Sequence, residues 1–456
     1  MSELIDYLES MHLLTQERLF DYICENDITT LNTLVLYMRE LIDADYVVSE
    51  YNPFVFVPNG DISGTAGCEE LSCRIGRAEK FAIFSALYAD KVYIQLNFIT
   101  EEHYELYDIE EIEMDEQMSQ KYKIEVLTDM SIILVYAELI KNNIVVITPS
   151  HKMLCPNCFQ REVFGKKIVD IEKIKSEYRA KAKVILKDYD EENEDAGIII
   201  TNIDEFFPDH DLFWNIHNKD ELEILKKEQV GSIIKNKEYC KNFVDEFISN
   251  EILAAMYTTK YCNEQKAKLI TNKVSDAMFL SLKKDNQSLS EIMNYTNFLP
   301  EYDLLITNNL CIENVIRLRQ EEAESFNKYR IALNKAVVEQ NKTKNVTDWK
   351  KIYDDIIFPE LNNLDMKMKQ IRNGRLNRFF CTMAVVGTTM IANAFGNMIN
   401  PEMFSNIPAL GTSVGAAGVN FILDKTSTKK SELQNNDYFF LWKLRKSNNS
   451  KFKHWI

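Results

Sequence analysis

Hydrophobic residues follow a helical period at both ends of the chain and a strand-like pattern between about 46 and 204. Residues 2–44 place apolar side chains at helical spacing, which predicts two or three short helices with Asp27 or Thr29 as a cap. Five short apolar runs follow: YVVSEYNPFVFVP, KVYIQLNF, NIVVITP, KVILKDY and GIIITNI. The helical stretches among them lie near 69–88, 122–141 and 157–181. Strands that alternate with helices predict crossover connections and an at least partly parallel sheet.

The strand pattern ends near residue 219. From there to residue 378, apolar residues recur every three or four positions among many charged residues, which is the spacing of amphipathic helices. This pattern predicts an α+β chain. An N-terminal mixed α/β domain with a partly parallel sheet precedes a mainly α-helical C-terminal domain that ends in an apolar helical hairpin. The predicted segments are the N-terminal helices (1–45), the mixed domain (46–216), the helical domain (217–378), the apolar hairpin (379–424) and a basic aromatic tail (425–456).

Charge is divided unevenly along the 456 residues, whose formal net charge is −17. The last ninety residues, from Lys367, carry 13 Lys or Arg and four acids, whereas the rest carries 40 and 66. An acidic body and a basic end predict different partners. The nine cysteines are odd in number and scattered, which is not a disulfide framework. The acidic N-terminus lacks the pattern of a cleaved signal, so we expect a cytoplasmic body.

The apolar hairpin is the most unusual stretch, because residues 379–423 contain a single charge, Glu402. Its two halves each approach the roughly 20 residues that cross a bilayer. Cations flank the hairpin on both sides: Arg372, Arg375, Arg378, Lys425, Lys429 and Lys430. The positive-inside rule then predicts that both ends stay in the cytoplasm and that the hairpin enters the inner membrane. The alternative is a buried hairpin packed on the helical domain.

The tail NDYFFLWKLRKSNNSKFKHWI interleaves aromatic rings with Lys and Arg. Such a mixture is typical of a membrane interface, where rings lie among headgroups and cations meet anionic lipid. Stacking on single-stranded nucleic acid is a second interpretation. In the third, FFLW docks on the protein and the cations remain in solvent.

A turn with three glycines is the first candidate binding site. Gly60, Gly64 and Gly67 follow an apolar run and precede a helix that bears Arg74 and Arg77. Backbone N–H groups of such a turn bind anions, and the arginines would close over the ligand. The spacing matches neither GK[ST] nor GxGxxG, so an ordinary connection is the alternative.

Histidine and cysteine form a candidate zinc site after the run NIVVITP. Thiolates at CxxC spacing chelate zinc, and a structural site needs four ligands. The candidate ligands are His151, Cys155, Cys158, Cys68 and Cys73. His210 or His217 are alternative ligands, and a redox dithiol or buried thiols are alternative roles.

The segment IDEFFPDHD gathers oxygen and nitrogen ligands that suit Mg²⁺ or Mn²⁺. They are Asp204, Glu205, Asp209, His210 and Asp211. Pro208-Asp209 is similar to the start of a PD-(D/E)xK nuclease motif, but no convincing (D/E)xK follows. A strand end with an acidic loop is the alternative interpretation.

The stretches LSEIMNYTNFLP (289–300) and IENVIRLRQEEAESFNKYRIAL (312–333) resemble a segment of bacterial proteins of unknown function. Those proteins also end in a small-residue apolar region and a short aromatic, basic tail. The resemblance covers the last third of the chain and is compatible with a role in phage defence. It implies no catalytic residue.

Three functional hypotheses follow from these patterns. The first is a non-enzymatic bacterial sensor or effector with an acidic body and a membrane-associating hairpin. The second is a soluble metal-dependent enzyme that acts on nucleotides or nucleic acid. The third is an interaction subunit whose hairpin is buried by itself or by a partner chain, including another copy.

Overall fold

The chain divides into two compact units, Met1–Tyr302 and Asp303–Ile456, in a computed structural model. The structure describes residues 2–47, 52, 54–66, 70–96, 99, 109–149, 161, 171–191, 194–203, 212–271, 273, 276, 296–298, 311–341, 352–369 and 433–451. The helices of unit 1 are α1 (Ser2–Ser10), α2 (Gln16–Glu25), α3 (Ile28–Asp45), α4 (Gly60–Ser63), α5 (Leu71–Tyr88), α6 (Ile109–Met114), α7 (Glu116–Lys141), α8 (Ile171–Lys181), α9 (Lys219–Leu225) and α10 (Lys237–Glu264). Its strands are β1 (Val55–Pro58), β2 (Lys91–Ile94), β3 (Val145–Ile147), β4 (Lys183–Asp190), β5 (Asp195–Thr201), β6 (Leu212–Ile216), β7 (Lys268–Thr271) and β8 (Thr296–Phe298).

Three N-terminal helices pack on α7, as the period of residues 2–44 predicts. The predicted cap Asp27 is confirmed, because its carboxylate accepts a hydrogen bond from the Thr30 N–H at 2.7 Å. Thr29 has another role: its N–H and hydroxyl both donate to Glu113 of α6. The helices are therefore joined to the layer that covers the first sheet.

A parallel five-stranded sheet forms the centre of unit 1, in the order β3-β2-β1-β7-β8. The predicted partly parallel sheet is confirmed. Strands β1, β3 and β7 are buried at every position, which is typical of a sheet with a helical layer on each face. Helices α5 and α7 pack on each other. Along the chain, α5 lies between β1 and β2, and α7 lies between β2 and β3. Helix α10 covers the opposite face through Tyr261 and Cys262.

The strand order reverses beside β1. The chain adds β2 and β3 on one side of β1 and later returns to add β7 on the other side. The carboxyl ends of β1 and β7 are therefore neighbours at the point where the order reverses. Such a reversal is the usual ligand-binding position of an open parallel sheet.

A second sheet, β4-β5-β6, is antiparallel and packs on α8 and α10. The runs KVILKDY and GIIITNI are thus strands, as predicted, but they pair with each other rather than extend the parallel sheet. Helix α10 packs against both sheets. Its Phe247, Ile248 and Ile252 lie in the core of the antiparallel sheet, and Tyr261 lies against the parallel one.

The prediction that strands end near residue 219 is wrong, because β7 and β8 lie further along the chain and complete the parallel sheet. The physical reason is the sequence context of β7. Its run KLIT follows closely after α10, which ends at Glu264, and its two apolar side chains, Leu269 and Ile270, have no period that separates them from a continuing helix.

Unit 2 is helical apart from its connections in the part of it that the structure describes. Its helices are α11 (Ile312–Glu321), α12 (Ala323–Asn341), α13 (352–369, with a π-helical turn at Tyr353–Ile357) and α14 (Phe439–Lys451). Phe440 of α14 is fully buried and stacks on Tyr329 of α12 with ring centroids 5.8 Å apart. The predicted docking of FFLW on the protein is confirmed.

Three cations of the described part of the tail form ion pairs, which differs from the interpretation that leaves them in solvent. Lys443 forms an ion pair with Glu322, and Arg445 and Lys446 both contact Asp365 of α13. Tyr438 through Trp442 are buried, so these side chains pack in the protein interior. Binding of the tail to lipid or to nucleic acid stays a prediction.

The apolar hairpin 379–424 lies outside the described residues. Among the helices that the structure describes, none is both long and apolar enough to cross a membrane. The membrane association of 379–424 stays a prediction.

Candidate functional site

Polar side chains join the carboxyl ends of β1 and β7. Asn59 follows β1, and its side-chain amide donates to the Thr271 hydroxyl at the end of β7, at 2.9 Å. The Asn59 N–H donates to the Ile270 carbonyl at 2.9 Å, and its side-chain oxygen accepts from the Ile62 N–H. Asn59 therefore caps α4 and closes the sheet edge at the same time.

Gly60 and Gly64, the glycines of the predicted turn that the structure describes, lie where a side chain would clash with neighbouring atoms. Gly64 has a φ of 72°, and a Cβ there would lie 2.3 Å from the Arg74 carbonyl oxygen. A Cβ on Gly60 would lie 2.5 Å from the Cβ of Ala66. Both positions need glycine because the turn packs on itself and on α5. Gly67 lies outside the described residues.

The two predicted arginines contact this turn directly. Arg74 donates from Nε to the Gly64 carbonyl and from Nη2 to the Thr65 carbonyl, each at 2.7 Å. Arg77 forms an ion pair with Asp61 of α4. The structure thus brings Gly60, Gly64 and both guanidinium groups together, and their binding of an anion stays a prediction.

A buried group of charges continues the site beyond β7. The Thr271 hydroxyl donates to Asp276 and accepts from the Lys273 N–H at 3.0 Å. Lys273 Nζ lies 2.9 Å from Glu251 Oε2 of α10. Burial raises the pKa of Asp276 to about 6, although Lys273 and the Thr271 and Asn59 hydrogen bonds oppose that rise.

The charges of this site interact with one another. Burial lowers the pKa of Lys273, but the carboxylates of Glu251, Asp276 and Asp61 outweigh that effect and leave this pKa above its usual value. Asp61 contacts Arg77 directly and adds to the negative charge around Lys273. We call the following seven residues the edge cluster: Asn59, Asp61, Arg77, Glu251, Thr271, Lys273 and Asp276.

Polar residues also follow the other strands at this edge. Gln95 comes directly after β2, and its side-chain N–H₂ is inaccessible to solvent and has no hydrogen-bond partner among the described residues. Thr148 follows β3, is fully buried and shares a hydrogen bond with the Tyr261 hydroxyl. The whole carboxyl edge of β1, β2, β3 and β7 is therefore polar.

The predicted metal ligands are described only in part. Cys73 lies on α5 and is half-buried, whereas His151, Cys155, Cys158 and Cys68 lie outside the described residues. In the described ranges, no three His, Cys, Asp or Glu side chains are arranged to hold a metal ion. The zinc site stays a prediction.

The acidic segment Asp204, Glu205, Asp209, His210 and Asp211 also lies outside the described residues. His217, the other alternative ligand, follows β6 and is exposed. The Mg²⁺ or Mn²⁺ site likewise stays a prediction.

Most of the edge cluster was not predicted from the sequence. Only Arg77 was a candidate. The signal that could have found the rest is KLITNKVSD (268–276), an apolar run that ends in Thr and is followed by Lys and Asp. This is the signature of a strand end, but the segment lay in the range interpreted as helical.

Comparisons with known proteins place no relative beside this chain: no family model, no curated protein and no solved structure matches it. The function is therefore argued from the geometry of the site.

Proposed function

We propose that unit 1 is the ligand-binding part of a non-enzymatic sensor or effector. In this proposal, a small polar ligand binds at the carboxyl ends of β1 and β7. The observation that carries the proposal is the edge cluster itself. Five ionisable side chains and two buried hydrogen-bonding side chains meet at the point where the strand order reverses.

A purely structural role explains these buried charges less well than a functional role does. Buried ion pairs contribute little net stability, and well-packed apolar residues of similar volume often stabilise a protein more. Ion pairs that persist at the ligand-binding edge of a parallel sheet favour a functional role. The unpartnered amide of Gln95 at the same edge supports this interpretation.

The position of Glu251 supports a sensor. Its carboxylate contacts the edge cluster through Lys273, and its helix, α10, also forms the core of the antiparallel sheet through Ile248 and Ile252. A ligand that competes for Lys273 would weaken its ion pair with Glu251 and so change the packing of α10. The antiparallel sheet packs on the same helix, so its packing would change as well.

Native mass spectrometry of the full-length protein tests this proposal. The protein is incubated with a small-molecule extract of bacterial cells, desalted and compared with the variants Lys273→Met and Thr271→Val. We expect a bound small molecule in the wild type that both variants lose. The control is Lys219→Met, because Lys219 forms an exposed ion pair with Glu194 away from the sheet edge. A wild type without bound small molecule, or equal binding by Lys273→Met, would contradict the proposal.

A second candidate function is attachment to the inner membrane through residues 379–424. The supporting observation lies in unit 2, where Asp365 of α13 accepts from the Trp442 indole N–H at 2.8 Å and pairs with Arg445 of α14. These contacts hold together the two helices that flank the apolar stretch along the chain. A segment that leaves and returns at one place suits a hairpin with both ends on the cytoplasmic side.

Alkaline carbonate extraction of cell membranes tests the attachment. We expect the full-length protein to stay in the membrane pellet and a chain without 379–424 to be released. Release of the full-length protein would reject this function and favour a hairpin buried in protein. The metal-dependent enzyme and the role in phage defence remain hypotheses based on the sequence.

A further inference from the structure

We infer that the ligand of the edge cluster is a nucleotide, with its phosphate bound between Arg77 and Lys273 in the position that the Asp61 carboxylate otherwise takes. The inference rests on the proposed function and names the chemical class of the ligand.

Two cations from different elements form ion pairs at the same edge of the sheet. Arg77 of α5 pairs with Asp61, and Lys273, from the segment after β7, pairs with Glu251. The Asn59–Thr271 hydrogen bond, at 2.9 Å, joins the two segments that carry Asp61 and Lys273, and the Asp61 charge acts on Lys273. Arg77 and Lys273 keep 16% and 14% of their side-chain surface exposed, whereas Asp61 keeps 7%. The two cations are therefore more accessible than Asp61, and Glu251 is as accessible as they are.

Phosphate suits this pair of cations better than a single carboxylate does. A guanidinium group binds phosphate through two parallel hydrogen bonds, and an ammonium group adds a compact charge. A terminal phosphate also carries more negative charge than the Asp61 carboxylate that it would replace, so the exchange favours the ligand.

The neighbouring side chains suit the hydroxyl groups of a sugar. The Glu251 carboxylate, on α10, retains 16% of its side-chain surface and accepts hydrogen bonds. Carboxylates near the strand ends bind ribose hydroxyls in dinucleotide-binding sheets. Gln95 supplies a buried amide donor after β2 at the same edge of the sheet. Phosphate and ribose groups together define a nucleotide.

The inference predicts opposite effects for the two partners of one ion pair. Arg77→Gln removes a phosphate ligand, so it should weaken binding by about tenfold or more. Asp61→Asn removes the competing carboxylate but keeps the side-chain shape, so it should tighten binding by about threefold or more. A purely structural ion pair would show the same direction of effect for both substitutions.

Isothermal titration of the full-length protein tests the inference, with ATP, GTP and NAD⁺ as probes and adenosine as the unphosphorylated control. Matched variants are available at a second Arg–Asp pair, Arg179 of α8 and Asp245 of α10, which is partly buried beside the antiparallel sheet. We expect at least one nucleotide to bind more tightly than adenosine, Arg77→Gln and Lys273→Gln to weaken it, and Asp61→Asn to tighten it. Arg179→Gln and Asp245→Asn should leave the affinity unchanged.

Three results would overturn the inference: no binding of any probe, binding of adenosine as tight as that of the nucleotides, or weaker binding by Asp61→Asn. Circular dichroism checks that each variant folds, and Arg77→Lys replaces Arg77→Gln if the latter does not. A small molecule without phosphate that requires Lys273 in native mass spectrometry would reject the nucleotide and retain the proposed function. If no small molecule requires Lys273, both proposals fail.

Discussion

Gly64 shows at the scale of one residue how the site depends on a missing side chain. Its positive φ and its approach to the α5 backbone let the turn after β1 lie against that helix. Arg74 then reaches the Gly64 and Thr65 carbonyls. The glycine that the sequence suggested as an anion-binding element is thus also required for the packing of the turn.

Gly64→Ala should destabilise unit 1 by about 2–4 kcal/mol, because the new Cβ adds a steric clash with the Arg74 carbonyl to the strain of a left-handed alanine. Gly76→Ala, in α5, is the control. A Cβ there would have no atom from elsewhere in the described chain within 4 Å, so the free energy of unfolding should rise by roughly 0.5–1 kcal/mol. Hydrogen exchange of the α5 amides in both variants measures these changes.

Asp276 gives the edge cluster a dependence on pH. Its pKa of about 6 in the folded chain exceeds the roughly 3.9 of an unfolded aspartate, so the folded chain holds this proton more tightly. The contribution of Asp276 to stability is therefore fully present below about pH 4 and is lost as the pH rises towards 6.

Asp276→Asn removes this titration. Between about pH 4.5 and pH 7, the free energy of unfolding of the variant relative to the wild type should rise by roughly 2 kcal/mol. Hydrogen exchange of the β1 and β7 amides, corrected for intrinsic rates, measures the difference. Equal pH dependence in both proteins would show that Asp276 is ionised normally in the folded chain.

At the scale of elements, α10 connects the two sheets of unit 1. One end covers the parallel sheet through Tyr261, the centre supplies Glu251 to the edge cluster, and the other half packs on the antiparallel sheet. A helix with contacts to two sheets is the physical route by which the proposed ligand would change the packing of the second sheet.

Helix α14 depends on one carboxylate of α13. Asp365 accepts from Trp442 and pairs with Arg445 and Lys446, and burial of Asp365 opposes the lowering of its pKa that Lys446 and Trp442 produce. Asp365→Ala should therefore destabilise α14 by about 1–3 kcal/mol, since it leaves these donors without their acceptor.

Trp442 fluorescence during urea unfolding and exchange of the α14 amides measure that loss. The control is Glu324→Gln, which removes an exposed ion pair with Lys328 within α12 and should change stability by less than about 0.5 kcal/mol. Equal effects of the two substitutions would show that Asp365 does not anchor α14.

The elements differ in how well the sequence predicted them. Long helices and apolar runs with clear ends, such as α7 and β1 to β5, were predicted because their periods are distinct. Strands β1 to β3 are equally short, but each lies in a longer apolar run, whereas β7 and β8 contain few apolar residues and have polar neighbours, so they were missed. The antiparallel pairing of β4 and β5 depends on which strands meet in space, and this is a tertiary property.

At the scale of the whole chain, the candidate site could be predicted only in part. The glycine turn and its arginines are adjacent in sequence, and the structure brings them together with Asp61. Glu251, Thr271 and Asp276 lie about two hundred residues away in sequence, so their proximity depends on the position of β7 beside β1. An error about one short strand therefore concealed most of the edge cluster.

Three cations near the end of the chain form ion pairs within unit 2. The basic end of the chain, from Lys367, includes Lys443, Arg445 and Lys446, and these cations pair with acids of unit 2 itself. Part of the positive charge that the sequence assigned to lipid or nucleic acid is thus neutralised within the protein.

The central claim is that a small polar ligand binds at the carboxyl ends of β1 and β7. Hydrogen–deuterium exchange of the full-length protein, with and without a bacterial small-molecule extract, tests it most directly. We expect slower exchange in peptides that cover residues 54–66 and 268–273 and no such slowing in Lys273→Met. Unchanged exchange in both peptides, with or without changes elsewhere in the chain, would contradict the claim.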